Sequence, residues 1–125
     1  GGKQEVGVLA KRFEDLSVWQ KSHQLVLRVY RMTTRFPKEE TYGLASQMRR
    51  AAVSVPANIA EGFKRKGRPD KARVMNIAQS SLEELRYYFI LASDLGYVKT
   101  EAERESAEEI AKMLGAYLGT LSAES

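Results

Sequence analysis

Few residues in this chain combine the type and spacing that catalysis requires. There is one histidine, His23, and no cysteine among 125 residues. A di-iron site in a helical bundle needs paired Glu-x-x-His motifs. Gln20 stands where the glutamate would be, and a second histidine is absent. Without cysteine, disulfides and thiolate metal sites are excluded. A Ser-His-Asp triad would have to use the same histidine, and no serine sits in a nucleophile elbow. Neither a P-loop nor a dinucleotide-binding glycine pattern occurs. The chain is therefore read as a non-enzyme, with no catalytic, cofactor-binding or metal-ligating residues. His23 falls on a helical apolar seam, where a hydrogen-bonded core or interface role is expected.

The most distinctive polar set lies in residues 47–62, QMRRAAVSVPANIAEG. Arg49 and Arg50 precede Pro56 by about two turns, and Asn58 and Glu61 follow it closely. Leu44, Met48, Ala51, Val55, Ile59 and Gly62 recur at three- and four-residue spacing, the apolar stripe of a helix. Pro56 opposes that helix. It has no N–H for the Ala52 carbonyl and crowds it, at a cost of ~3 kcal/mol in a helix interior. A bend at Pro56 is expected, with Ser54 as a candidate partner for the freed carbonyl. Two readings of the polar groups stand side by side. They satisfy a kinked helix inside a bundle, or they form a binding site at the kink. Glu83 and Glu84 are adjacent, so on a helix they point in different directions and do not make a paired-carboxylate site. Glu84 is instead grouped with Arg49, Arg50, Asn58 and Glu61 as a structural network, in which a buried Arg–Glu pair fixes helix register.

Lys64, Arg65, Lys66, Arg68, Lys71 and Arg73 form the densest basic cluster. They are either a solvated loop or contacts to nucleic-acid phosphates. No exposed aromatic interleaves them, so base stacking there is not suggested. Binding through them would be salt-sensitive and weakly sequence-specific. The net charge is +4, unevenly placed: residues 1–75 hold sixteen Lys/Arg against seven Asp/Glu, or +9, and residues 76–125 hold four against nine, or −5. A basic half attracts polyanions. It equally attracts the acidic half of a neighbouring subunit.

The elements that must position these residues are helical. Apolar residues make up 43 % and charged residues 29 %, as in an ordinary globular domain. Residues 1–12 lack a period and read as a flexible arm; 13–125 read as one domain. The arm lacks the apolar core of a signal peptide. No apolar run approaches the ~20 residues of a membrane helix, and a cytoplasmic location is expected. In the first helix, capped by Asp15 or Ser17, the seam is Leu16, Trp19, His23, Val26, Tyr30 and Thr33. A second stripe, Leu25, Val29, Met32 and Phe36, runs beside it. Pro37 ends this helix. The second runs from about residue 42 to 63. Asp70 is expected to cap the third, whose seam is Met75, Ala78, Leu82, Leu85, Phe89 and Ala92, with Gly96 as its C-terminal stop. Thr100 and Glu103 form a capping box for the fourth, whose seam is Ala107, Ile110, Leu114, Tyr117 and Leu121.

Four amphipathic helices with short connections predict an all-α fold. The expected form is an antiparallel up-down-up-down four-helix bundle with a proline-kinked second helix. The doubled stripes leave apolar surface that one bundle cannot bury, so a homo-oligomer is expected.

The stretches YGLASQMRRAAVSVPANIAEG, SSLEEL and DLGYV, with the opening FEDLSVWQKSHQLVLRVYRMTTRFP, carry a family resemblance. Over roughly residues 13–121 the chain resembles the small four-helix-bundle proteins encoded in intervening sequences of bacterial 23S rRNA genes. The resemblance implies a homopentameric ring. It also implies a relation to the pentameric accessory proteins of diversity-generating retroelements, which bind reverse transcriptase and nucleic acid. It implies no enzymatic activity, and the gene context implies no ribosomal role.

Overall fold

The computed structural model describes residues 10–123. Four helices make up most of them: α1 (Ser17–Thr33), α2 (Leu44–Lys64), α3 (Arg68–Asp94) and α4 (Glu101–Ala123). Short 3-10 turns, Phe13–Asp15 and Lys38–Glu40, precede α1 and α2. No strand occurs among the described residues, and no helix there is long and apolar enough to cross a membrane. Of the expected N-terminal arm, residues 1–9 lie outside the described residues.

Each helix packs on its chain neighbours, and α4 returns onto α1. Specific pairs give the directions. Ser54 meets Ser81, and Gly62 lies against Met75, so α2 and α3 run oppositely. Arg86 reaches Glu108 and Gly115 lies by Gln79, so α3 and α4 do too. Arg49 bonds Thr33 near the end of α1, while Trp19 near its start shares a groove with Pro56.

The seams read in α2 and α3 are all buried, and in α4 Ala107, Ile110 and Leu114 are buried. Helix α1 buries residues of both its stripes. Its second stripe, Leu25, Val29, Met32 and Phe36, is wholly buried together with Val18 and Ser22. On the seam named first, Leu16, Val26 and Thr33 are buried as well, while Trp19 and His23 are half-buried and Tyr30 is exposed. An apolar arc this wide leaves its orientation to the neighbouring helices, and these take the 25–29–32–36 face. Ser22 and Thr33 enter the core because their hydroxyls donate to the carbonyls of Val18 and Val29, four residues earlier.

The helix ends are set less by side-chain caps than expected. Leu16, not Asp15 or Ser17, occupies the cap position of α1. Asp15 closes the preceding turn, accepting from the backbone N–H groups of Lys11 and Arg12. Gly67, not Asp70, precedes α3. Pro69 explains the earlier start, since its fixed φ suits the first helical turn, where its missing N–H costs nothing. Thr100 is fully buried, and its hydroxyl donates outside its own helix, to the Phe89 carbonyl of α3 at 2.9 Å. At the end of α3, Gly96 adopts φ +79° and the Tyr97 N–H bonds the Ala92 carbonyl, a left-handed cap only glycine adopts cheaply.

Candidate functional site

Pro56 is buried inside α2, and the polar groups around it divide between two neighbours. Toward α3, the Ser54 hydroxyl meets the Ser81 hydroxyl at 2.7 Å. The Asn58 amide donates to the Ser54 carbonyl at 2.8 Å and to its hydroxyl at 3.0 Å. Ser54 is thus engaged with Ser81 and Asn58. Toward α1, Arg49 donates to Thr33 Oγ1 at 2.8 Å and to the Tyr30 carbonyl at 3.3 Å. Its guanidinium lies 4.7 Å from the Tyr30 ring centroid.

The expected buried Arg–Glu pair is not formed among the described residues. Arg50 and Glu84 line one cleft with Ser54 and Ser81, but both are exposed. Glu84 accepts from the Tyr88 hydroxyl, which raises the tyrosine pKa. Glu83 pairs with Arg86, and Glu61 pairs with Arg65 at the rim. Burying a full ion pair costs several kcal/mol per ion in desolvation. Hydroxyls and an amide make the interhelical contact instead, and the charges stay wet.

The basic connection is partly neutralised from within. Arg65 reaches Glu61 at 2.5 Å and Asp70 at 3.5 Å, and Arg73 bonds Asp70. Lys71 donates to the Phe63 carbonyl at 3.0 Å and lies against the Phe63 ring; partial burial lowers its pKa. Lys64, Lys66 and Arg68 are exposed.

Two features escaped sequence reasoning. A groove of about 270 Å³ between α1 and α2 is lined by Phe13, Trp19, His23, Val53, Pro56 and Ala57. His23 stacks on Trp19 there, rings 5.2 Å apart and 8° from parallel. Beyond Val53 it continues into a wider cleft of about 660 Å³ with Tyr30, Tyr42, Arg49 and Arg50. Tyr42 is 95 % exposed. Its place in the turn before α2 was the available signal. Among the described residues no group of three His, Cys, Asp or Glu side chains could hold a metal ion.

What this geometry defines is a small all-α four-helix protein whose distinctive features lie on its surface. The chain belongs to the family of 23S rRNA-intervening sequence proteins, whose family model matches residues 14–116. It is similar to a crystal structure of a protein with unknown function, from the S23 ribosomal protein family of Bacteroides thetaiotaomicron. The TM-score is 0.75 at 24 % identity, covering 82 % of this chain and 95 % of that one. At that identity the likeness establishes the fold. No curated protein matches.

Proposed function

We propose that the protein is a non-catalytic, self-associating helical bundle. One observation carries this reading: α1 has more apolar surface than its own bundle covers. Along the groove and the cleft it opens into, Trp19 and His23 are only half-buried, Tyr30 is exposed, and Val53 is exposed on α2. Apolar surface gathered along one groove marks an interface, where scattered surface residues would not. A homopentameric ring is the form that the family resemblance supports. Light scattering or sedimentation at micromolar concentration tests the reading, and a monomer of 14.1 kDa rejects it.

A second reading assigns the basic connection to RNA or DNA. Within residues 61–73 six cations, Lys64, Arg65, Lys66, Arg68, Lys71 and Arg73, stand in sequence with two carboxylates, Glu61 and Asp70. In a ring the cluster would repeat, so modest contacts would add through multivalency. Titration with single-stranded and structured RNA and DNA at two salt concentrations tests it. Phosphate-driven binding weakens steeply with salt, and Ser at positions 64, 65, 66 and 68 should weaken it for every sequence alike. Unchanged affinity in that variant rejects the site. The relation to retroelement accessory proteins adds a reverse transcriptase as a proposed protein partner, which co-purification tests.

A further inference from the structure

The outward faces of α2 and α3 carry unlike stripes. On α2, Ser46, Arg50, Val53 and Ala57 follow at four, three and four residues, and none is buried. On α3, Glu83, Tyr87, Ile90 and Asp94 follow at the same intervals, and all four are exposed. This is the spacing of a helix–helix seam. The α3 stripe has Tyr87 and Ile90 at its centre, and the α2 stripe has Val53 beside Arg50. The charges differ: Arg50 makes no ion pair or hydrogen bond with its side chain among the described residues, while Glu83 and Asp94 bracket the α3 stripe. Glu84 lies close beside that stripe, and Arg86, the only Lys or Arg within residues 83–94, is held by Glu83 and Glu108.

Pairing like with like is unfavourable. Two α2 stripes face to face set Arg50 against Arg50, and two α3 stripes set carboxylates against carboxylates, which disfavours either pairing. Pairing unlike stripes places the guanidinium among carboxylates and joins Val53 to Tyr87 and Ile90. Within one chain Arg50 shares the α2–α3 cleft with Glu84 but forms no ion pair with it, while Glu83, Tyr87, Ile90 and Asp94 all stay exposed, so the two stripes are free to pair between copies.

We propose that the α2 stripe Ser46–Arg50–Val53–Ala57 docks on the α3 stripe Glu83–Tyr87–Ile90–Asp94 of a second copy. The proposal rests on the self-association reading and specifies its interface. Each chain then carries one donor and one acceptor face. Such head-to-tail contacts do not stop at a dimer; they continue until a ring closes.

Two variants test it. Arg50→Glu with Val53→Glu disables the α2 face, and Tyr87→Asn with Ile90→Asn disables the α3 face without adding a charge that the first variant could pair with. Milder serine pairs at the same positions serve if either variant loses its helical circular dichroism. Alone, each variant is expected to fall to a monomer of 14.1 kDa. Mixed one to one, they retain one intact face each and should form a species of twice that mass and nothing larger. A wild-type assembly whose variants still assemble alone, or stay monomeric when mixed, overturns this interface and leaves self-association standing. A monomeric wild type overturns both.

Discussion

Tyr97 donates a 2.8 Å hydrogen bond to Glu40 Oε2 across a separation of 57 residues, while Glu40 Oε1 accepts the Leu44 backbone N–H at 3.0 Å. One carboxylate therefore closes the start of α2 and ties it to the loop after α3. The Phe36 ring, 5.2 Å from that of Tyr97, completes the junction. The Leu44 N–H, then the Tyr97 hydroxyl, hold the Glu40 pKa below its ordinary value against desolvation. A carboxyl with a lower pKa folded than unfolded stabilises fully above its unfolded value and loses that contribution as pH falls through the folded one. The melting temperature should drop on acidification below about pH 4.5, where glutamate titrates, and drop less in Glu40→Gln. Thermal melts at a series of pH values check this; parallel profiles for the two proteins would exclude the role.

The Ser54–Ser81 contact should behave as one coupled pair. Replacing either serine by alanine is expected to cost about 0.5–1.5 kcal/mol, the net worth of a hydrogen bond. The double replacement should cost less than the sum of the two. A double-mutant cycle in urea measures the difference, and additivity within about 0.3 kcal/mol means the hydroxyls do not support each other.

Pro56→Ala sets two effects against each other. Alanine restores a donor for the Ala52 carbonyl and relieves about 3 kcal/mol of helix strain. It also removes two buried ring carbons, at about 0.8 kcal/mol each, and loosens the unfolded chain by about 0.4–1 kcal/mol. Stability should change by about 1 kcal/mol or less, while self-association weakens because Pro56 lines the α1–α2 groove. Melting and light scattering on the same sample separate the outcomes; assembly as strong as wild type rules out a part for the proline in docking.

Two glycines should respond differently to alanine. At Gly96 no atom lies within 4 Å of an added Cβ, but φ is +79°, and a left-handed conformation costs roughly 1–2 kcal/mol for an L-residue. At Gly62 the backbone is helical and the added carbon would sit 3.0 Å from the terminal methyl of Met75. That flexible side chain can yield, and alanine gains about 0.5–1 kcal/mol in a helix. Gly96→Ala should destabilise, whereas Gly62→Ala should be near neutral. Urea melts showing the reverse order would contradict both arguments.

Hydrophobic spacing made the helices and most of the core legible. In α3 the seam from Met75 to Ala92 can be read off its three- and four-residue spacing, although Tyr88 and Leu91 widen it. In α1 the same method offers two stripes and no way to choose, since Leu16, Trp19 and Val26 give the first as regular a spacing as Leu25, Val29 and Met32 give the second. Only the placement of α2 and α4 decides between them. The polar partners were harder still. Arg49 turns to Thr33 and Tyr30 rather than to a glutamate because hydroxyls and carbonyls satisfy a guanidinium without burying a second charge. Sequence spacing carries no record of that preference. Likewise, ion pairs within the 61–73 segment depend on a tight connection that brings Asp70 back to Arg65.

The buried seam of α3, touching α2 on one side and α4 on the other, determines where the molecule opens last. Met75, Ala78, Leu82, Leu85, Phe89 and Ala92 are each 0 % exposed, and the Thr100 bond fastens the far end to α4. Amide hydrogens along this stretch should exchange with deuterium only through global unfolding, while the outer turns of α1 and α4 exchange through local fraying. The helix that presents the acidic docking stripe is thus also the rigid mast of the subunit, so a contact made there is made on a surface that does not yield.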